Sequence, residues 1–347
     1  MKEIALCSIL SVIKLVLIVL VGVWLGRKEL LDKPTRQHFS KILMLVMLPS
    51  LLIVSLGRNA QIHNIEQWWM LIVSAGLFVV YGFVVSEIVF KLLRLPKHLQ
   101  RNFCAATAFG NSSYLPLPLM VTITATAPIF LNDATAGERS FAYISVYLLC
   151  HSPLLWLIGF PYLSGKSIRE LKWNQILSPP LVSSLIGLIV GMLPWLNRLF
   201  FGEGAPLGIV VSTMEMIGKA IFPLALMLLG ANLSEKLPEG DTMPVRSFVG
   251  VTVCRLVLMP AIGFGTAWLA WRFGLGPKDP LFYLVIMTES AVPAATNLIV
   301  MTQVHHKGEA TMARLLLCEY CMAVPLLTRT MTFFLTVPSA LLQSALV

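Results

Sequence analysis

Two stretches of polar and helix-breaking residues interrupt otherwise apolar runs. They are Phe-Gly-Asn-Ser-Ser-Tyr-Leu-Pro-Leu-Pro from Phe109 to Pro118 and Thr-Glu-Ser-Ala-Val-Pro-Ala-Ala-Thr-Asn from Thr288 to Asn297. A backbone broken at membrane depth survives only where protein or a water-filled cavity satisfies its polar groups. Pro116 or Pro118 can open the second half of the first broken segment and Pro293 that of the other, because proline at the first helical position has no N–H to leave unpaired. The new helix N-termini carry partial positive charge and suit an anion. Asn111, Ser112, Ser113, Ser290, Thr296 and Asn297 add neutral hydrogen-bonding groups, while Tyr114, Leu115 and Val292 supply apolar walls. The chemistry expected is reversible binding of a small, largely apolar molecule bearing a carboxylate. The plainer alternative is that the same groups only hold helices together.

Ionisable residues inside apolar runs cost on the order of 2.5 to 3.5 kcal/mol each at a span centre, so Lys14, Glu87, Glu289, Arg255, Glu319 and Arg329 need partners. Lys14 lies near the centre of the first run and Glu289 immediately before the second break. These two are the candidates for ion coupling or charge pairing: Glu289 as a proton carrier, or Lys14 as the counter-charge of Glu289 or Glu319. Glu87/Lys91 and Glu215/Lys219 have the spacing of local helical pairs. His151, beside Pro153, reads as a hydrogen-bonded interior residue.

An enzyme would need more than this. The four aspartates, Asp32, Asp133, Asp241 and Asp279, all fall between spans, and neither HExxH nor GxSxG occurs. The six cysteines are scattered, and Cys318/Cys321 have CxxC spacing without further ligands, so no metal, cofactor or disulfide framework is expected.

The elements that must position these groups are membrane helices. Apolar residues make up 57% of the chain and charged residues 12%, with a mean hydropathy of +0.80. Ten windows of spanning length are expected, near 4–26, 37–56, 66–91, 98–130, 137–163, 176–196, 208–233, 246–270, 280–303 and 311–336. The first is too long for a signal-peptide core and reads as a retained span. The net charge of +9 sits in short loops rather than on a soluble face, which excludes nucleic acid as the expected partner. Alternate loops, beginning with Arg27, Lys28, Lys33 and Arg36 and continuing with Lys91, Arg94, Lys97 and Arg101, carry most of the Lys and Arg, which places both termini on the non-cytoplasmic side.

An internal repeat organises the spans. Pro49 and Pro223 lie 174 positions apart, and Pro116 and Pro293 lie 177 apart, close to half the chain. The domain reading is therefore residues 1–163 as one five-helix repeat, 164–175 as a cytoplasmic linker and 176–347 as a second repeat. An odd number of spans per repeat makes the two inverted, with the fourth and ninth broken. Gly22/Gly26 and Gly187/Gly191 add a small-xxx-small pattern that lets helices approach closely.

The chain resembles the auxin efflux carrier family, in its PIN-likes branch. The resemblance rests on Val12-Ile13-Lys14-Leu15-Val16-Leu17-Ile18, Leu48-Pro49-Ser50-Leu51, Gly110-Asn111-Ser112-Ser113-Tyr114-Leu115-Pro116-Leu117, Val292-Pro293-Ala294-Ala295-Thr296-Asn297 and Met301-Thr302-Gln303. It implies an all-α membrane protein of ten helices in two inverted repeats, similar to bile-acid symporters and sodium-proton antiporters. It also implies a substrate-holding crossover at Asn111, Pro116, Pro293 and Asn297. By the same resemblance the substrate is indole-3-acetic acid and the membrane is the endoplasmic reticulum, with the plasma membrane as alternative. A homodimer is a possible assembly. The chain departs from the family in reading Asn-Ser-Ser-Tyr where a second Gly and Asn are expected, and in its short central loop. A malate-type dicarboxylate permease and a non-transporting receptor for a small carboxylate are the competing readings.

Overall fold

The computed structural model describes residues 2–60, 62–165, 177–202, 204–234, 243–305 and 308–345. All but Ser164 and Gly165 of the expected linker lie outside them. Among the described residues the chain is helical apart from one isolated antiparallel bridge. In order the helices are α1 (Lys2–Arg27), α2 (Lys33–Asn59), α3 (Ile62–Leu92), α4 (Gln100–Ala108), α5 (Pro116–Thr126), α6 (Ala136–Ser164), α7 (Pro179–Met192), α8 (Pro194–Phe201), α9 (Gly208–Leu233), α10 (Val245–Arg272), α11 (Pro280–Ala291), α12 (Asn297–His305) and α13 (Glu309–Ala345). Seven of them, α1, α2, α3, α6, α9, α10 and α13, are long and apolar enough to cross a membrane. Many of their large apolar side chains face outward, among them Leu17, Ile88 and Ile209, as lipid-facing surfaces require.

Prolines shape the spans in a repeated way. A wide π turn at Leu43–Met47, Leu155–Gly159 or Cys254–Leu258 ends two residues before Pro49, Pro161 or Pro260, respectively. Proline removes one helical donor and crowds the carbonyl four residues back, and widening the preceding turn accommodates both effects. Where a window near 176–196 is expected, α7 ends at Met192 and the chain turns through 102° into α8. Leu193 is extended (ψ 108°), as the residue before Pro194 is biased to be.

Two helix pairs pack backbone to backbone. A Cβ added to Gly22 would lie 2.0 Å from the Met227 carbonyl oxygen, and one added to Gly230 would lie 1.9 Å from that of Val19, so α1 and α9 touch without intervening side chains. Gly191 brings α7 nearly as close to the end of α2, a Cβ there lying 2.8 Å from the carbonyl oxygens of Leu56 and Ala60. A second group of helices surrounds the breaks: α3 packs on α4 and α6, α10 on α11, and α13 on α10 and α11.

Candidate functional site at the crossing of two broken helices

The two interruptions meet. Residues between α4 and α5 run antiparallel to those between α11 and α12, bridging at Gly110 and Ala294. The Asn111 N–H donates to the Pro293 carbonyl (2.8 Å) and the Ala295 N–H to the Phe109 carbonyl (2.9 Å). Each break thus satisfies the other's main chain where water is absent. Side chains complete the junction. Asn111 Nδ2 donates to Tyr320 Oη (2.7 Å), Tyr320 Oη donates to the Ala294 carbonyl (3.0 Å), and the Tyr114 N–H donates to Asn111 Oδ1 (3.1 Å). The Ala294 N–H donates to Glu319 Oε2 at 2.8 Å.

A buried arginine fastens the junction from α10. Arg255, 1% exposed, donates through Nε to the Val292 carbonyl (2.6 Å), through Nη1 to Thr107 (3.1 Å) and through Nη2 to Glu289 (3.4 Å). These carbonyls lie at the C-terminal ends of α4 and α11, where orphan acceptors and partial negative charge collect. One guanidinium therefore serves both half-helices. Gly110 makes room for it, since a Cβ there would lie 1.8 Å from Nη2. Glu289 and Glu319 are also buried, and neither forms an ion pair with Arg255 or with any other described residue. Both carboxyl oxygens of Glu289 and Oε1 of Glu319 lack a hydrogen-bond partner.

Beside the junction lies a cavity lined by both breaks. Asn111, Ser112, Ser113 and Tyr114 face Thr296 and Asn297, with His151, Ser152, Leu155 and Trp156 of α6 across from them. Its free space of about 30 Å³ admits a water or two. The Tyr114 hydroxyl has no partner in the protein. His151 is stacked on Tyr147 with ring centroids 5.6 Å apart and approaches Phe109 edge-on at 6.2 Å. Among the described residues, no Lys or Arg lines this space.

The sequence expectations divide here. Asn111, Ser112, Ser113, Tyr114, Thr296 and Asn297 come together around the cavity. Pro116 opens α5 and Pro293 supplies a junction carbonyl, but neither lines the cavity. Ser290 points elsewhere: its hydroxyl donates to the Met287 carbonyl (2.6 Å) and packs where a Cβ on Gly263 of α10 would lie 1.9 Å away. Lys14 is not brought to the crossing at all, because it sits on the exposed face of α1 and neutralises neither Glu289 nor Glu319. Arg255, Glu319 and Tyr320, which meet at the crossing instead, act on its main chain. Met44 in the π turn of α2, Pro180 at the start of α7 and Trp156 late in α6 put the cavity away from the C-terminal end of α2.

At that end lie two charge networks. Arg58 of α2 bridges Glu138 of α6 and Glu215 of α9 (2.9 Å to the latter), and Lys219 joins Glu215 at 2.6 Å. Arg139 binds Asp133 (2.8 Å) and Asp279 (3.1 Å), and Tyr143 Oη donates to Asp279 (2.7 Å). The Arg139 guanidinium, aided by Thr135, holds the Asp133 carboxyl down at about 2.

Together these features define an integral, multi-pass helical membrane protein organised around a junction of two interrupted helical segments. The sequence profile of the membrane transport protein family matches residues 7–167 and 164–331, and the chain belongs to that family, the auxin efflux carriers. Among its relatives, PIN-LIKES 5 of Arabidopsis thaliana is 26% identical over 94% of this chain and 96% of its own length. PIN-LIKES 7 of the same plant is 23% identical over 95% and 97%. An uncharacterized transporter of Saccharomyces cerevisiae is 21% identical over 89% and 90%.

Proposed function

We propose that this protein carries a small organic anion, indole-3-acetic acid, across an intracellular membrane by alternating access, binding it in the cavity at the crossing. The observation that carries this reading is the cavity wall. Uncharged donors from both breaks face the aromatic and apolar surfaces of Trp156, Leu155 and Leu148, and the buried Tyr114 hydroxyl has no partner among the described residues. One carboxylate can be met there by neutral donors and helix dipoles while a ring rests on apolar groups. A dicarboxylate would add a second charge to a space without a lining cation, so the malate-type reading is the less favoured. A receptor would use the same cavity without moving its ligand.

Ten spans in two inverted repeats, 1–163 and 176–347, account for the pairings. The first span packs on the seventh as the sixth packs on the second, and the fourth crosses the ninth. Bridging groups close one end while the cavity lies toward the other, as one state of such a cycle requires. The anion needs more than the free space present, so Trp156, Met44 and Pro180 must move to admit it. The relatives' names support a transporter of the PIN-like kind, and the endoplasmic reticulum is the membrane proposed for it. Both termini are placed on its non-cytoplasmic side.

Uptake of labelled indole-3-acetate and labelled malate into proteoliposomes tests the reading, with protein-free vesicles subtracted. Tyr114→Phe is the informative variant, because the hydroxyl it removes has no structural partner. Saturable auxin uptake with KM raised about tenfold in the variant is expected, the loss of one hydrogen bond to a charged group. Uptake of malate alone moves the protein to the dicarboxylate reading, and binding without uptake makes it a receptor.

A further inference from the structure

Arg255, Glu289 and Glu319 form a buried charge cluster that binding of an anion in the neighbouring cavity does not use. With both carboxyls ionised, the cluster has one more negative charge than positive. Three of its four carboxyl oxygens lack hydrogen-bond donors. Such an arrangement is costly away from water unless a further positive charge joins it. Glu319 has at least the Ala294 N–H, whereas Glu289 has nothing.

The groups around Glu289 narrow the identity of that charge. From α10 it faces Arg255, from the first break the Ser112 hydroxyl, and from α6 Tyr147, with His151 lying near Arg255. From α13, Glu319 and Tyr320 face the same guanidinium. The adjoining parts of α3 and α5 bring no charged or titratable side chain to it. Ser112 turns its hydroxyl toward the Gly110 carbonyl (3.4 Å) rather than to the carboxyl. A metal cation would sit beside a guanidinium with few converging oxygens. A proton needs only one carboxyl oxygen.

We propose that Glu289 carries one exchangeable proton and that the anion crosses together with it, an inference that rests on the carrier reading. The proton bonds to a Glu289 carboxyl oxygen when the crossing is open to one side, and the same O–H bond breaks on the other. The lever is Arg255. When Glu289 is neutral, the guanidinium stays on the carbonyls of Val292, Thr107 and Glu289 that fasten the crossing. When Glu289 is ionised, its carboxylate competes for the same guanidinium. The charge on one side chain thereby sets the geometry of both half-helices.

The test uses the full-length protein in proteoliposomes, with membrane potential clamped at zero by potassium and valinomycin and protein-free vesicles subtracted. Labelled indole-3-acetate and malate are first examined for counterflow, and whichever exchanges is used. One proton per anion means that a tenfold gradient of the anion is nulled by one pH unit. In Glu289→Gln the pH gradient no longer shifts that null point, whatever the exchange rate, while Glu289→Asp, which keeps a carboxyl, restores the shift. A wild-type null point indifferent to pH overturns the proposal even if neither variant folds. So does a null point in Glu289→Gln that still moves with pH, or a sodium gradient that replaces the pH gradient. Absence of counterflow by the wild type overturns the carrier reading and this inference with it.

Discussion

Replacing Gly110 with alanine isolates the role of the buried guanidinium. The added methyl carbon would lie 1.8 Å from Arg255 Nη2 and 2.8 Å from Cζ, with Val292 Cγ2 at 3.2 Å on its other side. An ordinary contact begins near 3.4 Å, so the guanidinium must retreat by about 1.6 Å, enough to remove it from at least two of its three carbonyl acceptors. Charge-assisted hydrogen bonds contribute ~1.5–3 kcal/mol each, which puts the expected loss at about 3–5 kcal/mol. Thermal unfolding in detergent, followed by tryptophan fluorescence, measures it. Gly76→Ala is the control, because nothing lies within 4 Å of its new Cβ and the helix gains about 0.5–1 kcal/mol. Repeating Gly110→Ala in an Arg255→Met background completes a double-mutant cycle. The reasoning fails if Gly110→Ala destabilises by less than about 1 kcal/mol, or by the same amount whether or not Arg255 is present.

The ends of the spans yield two more expectations. Arg58→Ala removes the bridge from α2 to α6 and α9. Its partners are a quarter to two-fifths exposed, so stability should fall by no more than about 1 kcal/mol. A Ser55→Cys reporter on the same end should nevertheless label faster with an impermeant maleimide in that background, and unchanged labelling would remove the bridge from any closing role. Asp133 sets an acid limit. Its folded-state carboxyl sits near 2 against an ordinary 3.8, so its contribution is complete above about pH 4 and disappears as pH falls through 2. Because the side chain is a third exposed, screening reduces that contribution to about 1 kcal/mol, and Asp133→Asn should flatten the stability profile between pH 4 and 2. An unflattened profile would mean that the Arg139 contact does not persist in solution.

The breaks were legible because Gly, Asn and Pro contradict an apolar run, and the close-packed helices because glycines repeat at a spacing that needs no tertiary information. Orientation was not legible. In a soluble helix the polar side reveals which face points inward, but α1 is apolar toward its neighbours and toward lipid alike, so the depth of Lys14 could be read and its direction could not. The same limit misplaced Ser290, next to a break in sequence yet turned toward Gly263. Arg255 was recognised as needing partners. Its acceptors are main-chain carbonyls 37 and 148 residues away, which no side-chain pattern announces. Glu319 likewise reads as a charge in need of a partner, and Tyr320 carries no signal at all, since both act on the main chain at Ala294.

The pairing of the two breaks also constrains how the molecule is made. Asn111 and Pro293 are 182 residues apart, so at synthesis rates of ~5–20 residues per second the first break waits roughly 10–40 s for its partner strand. Through that interval Phe109 to Leu115 has polar main chain with no complement, and neither Arg255 nor Tyr320 yet exists to cover it. The nascent first half therefore has to keep this segment near water or within the insertion machinery. The segment from α4 to α5 can settle into its final place only after most of the chain has emerged.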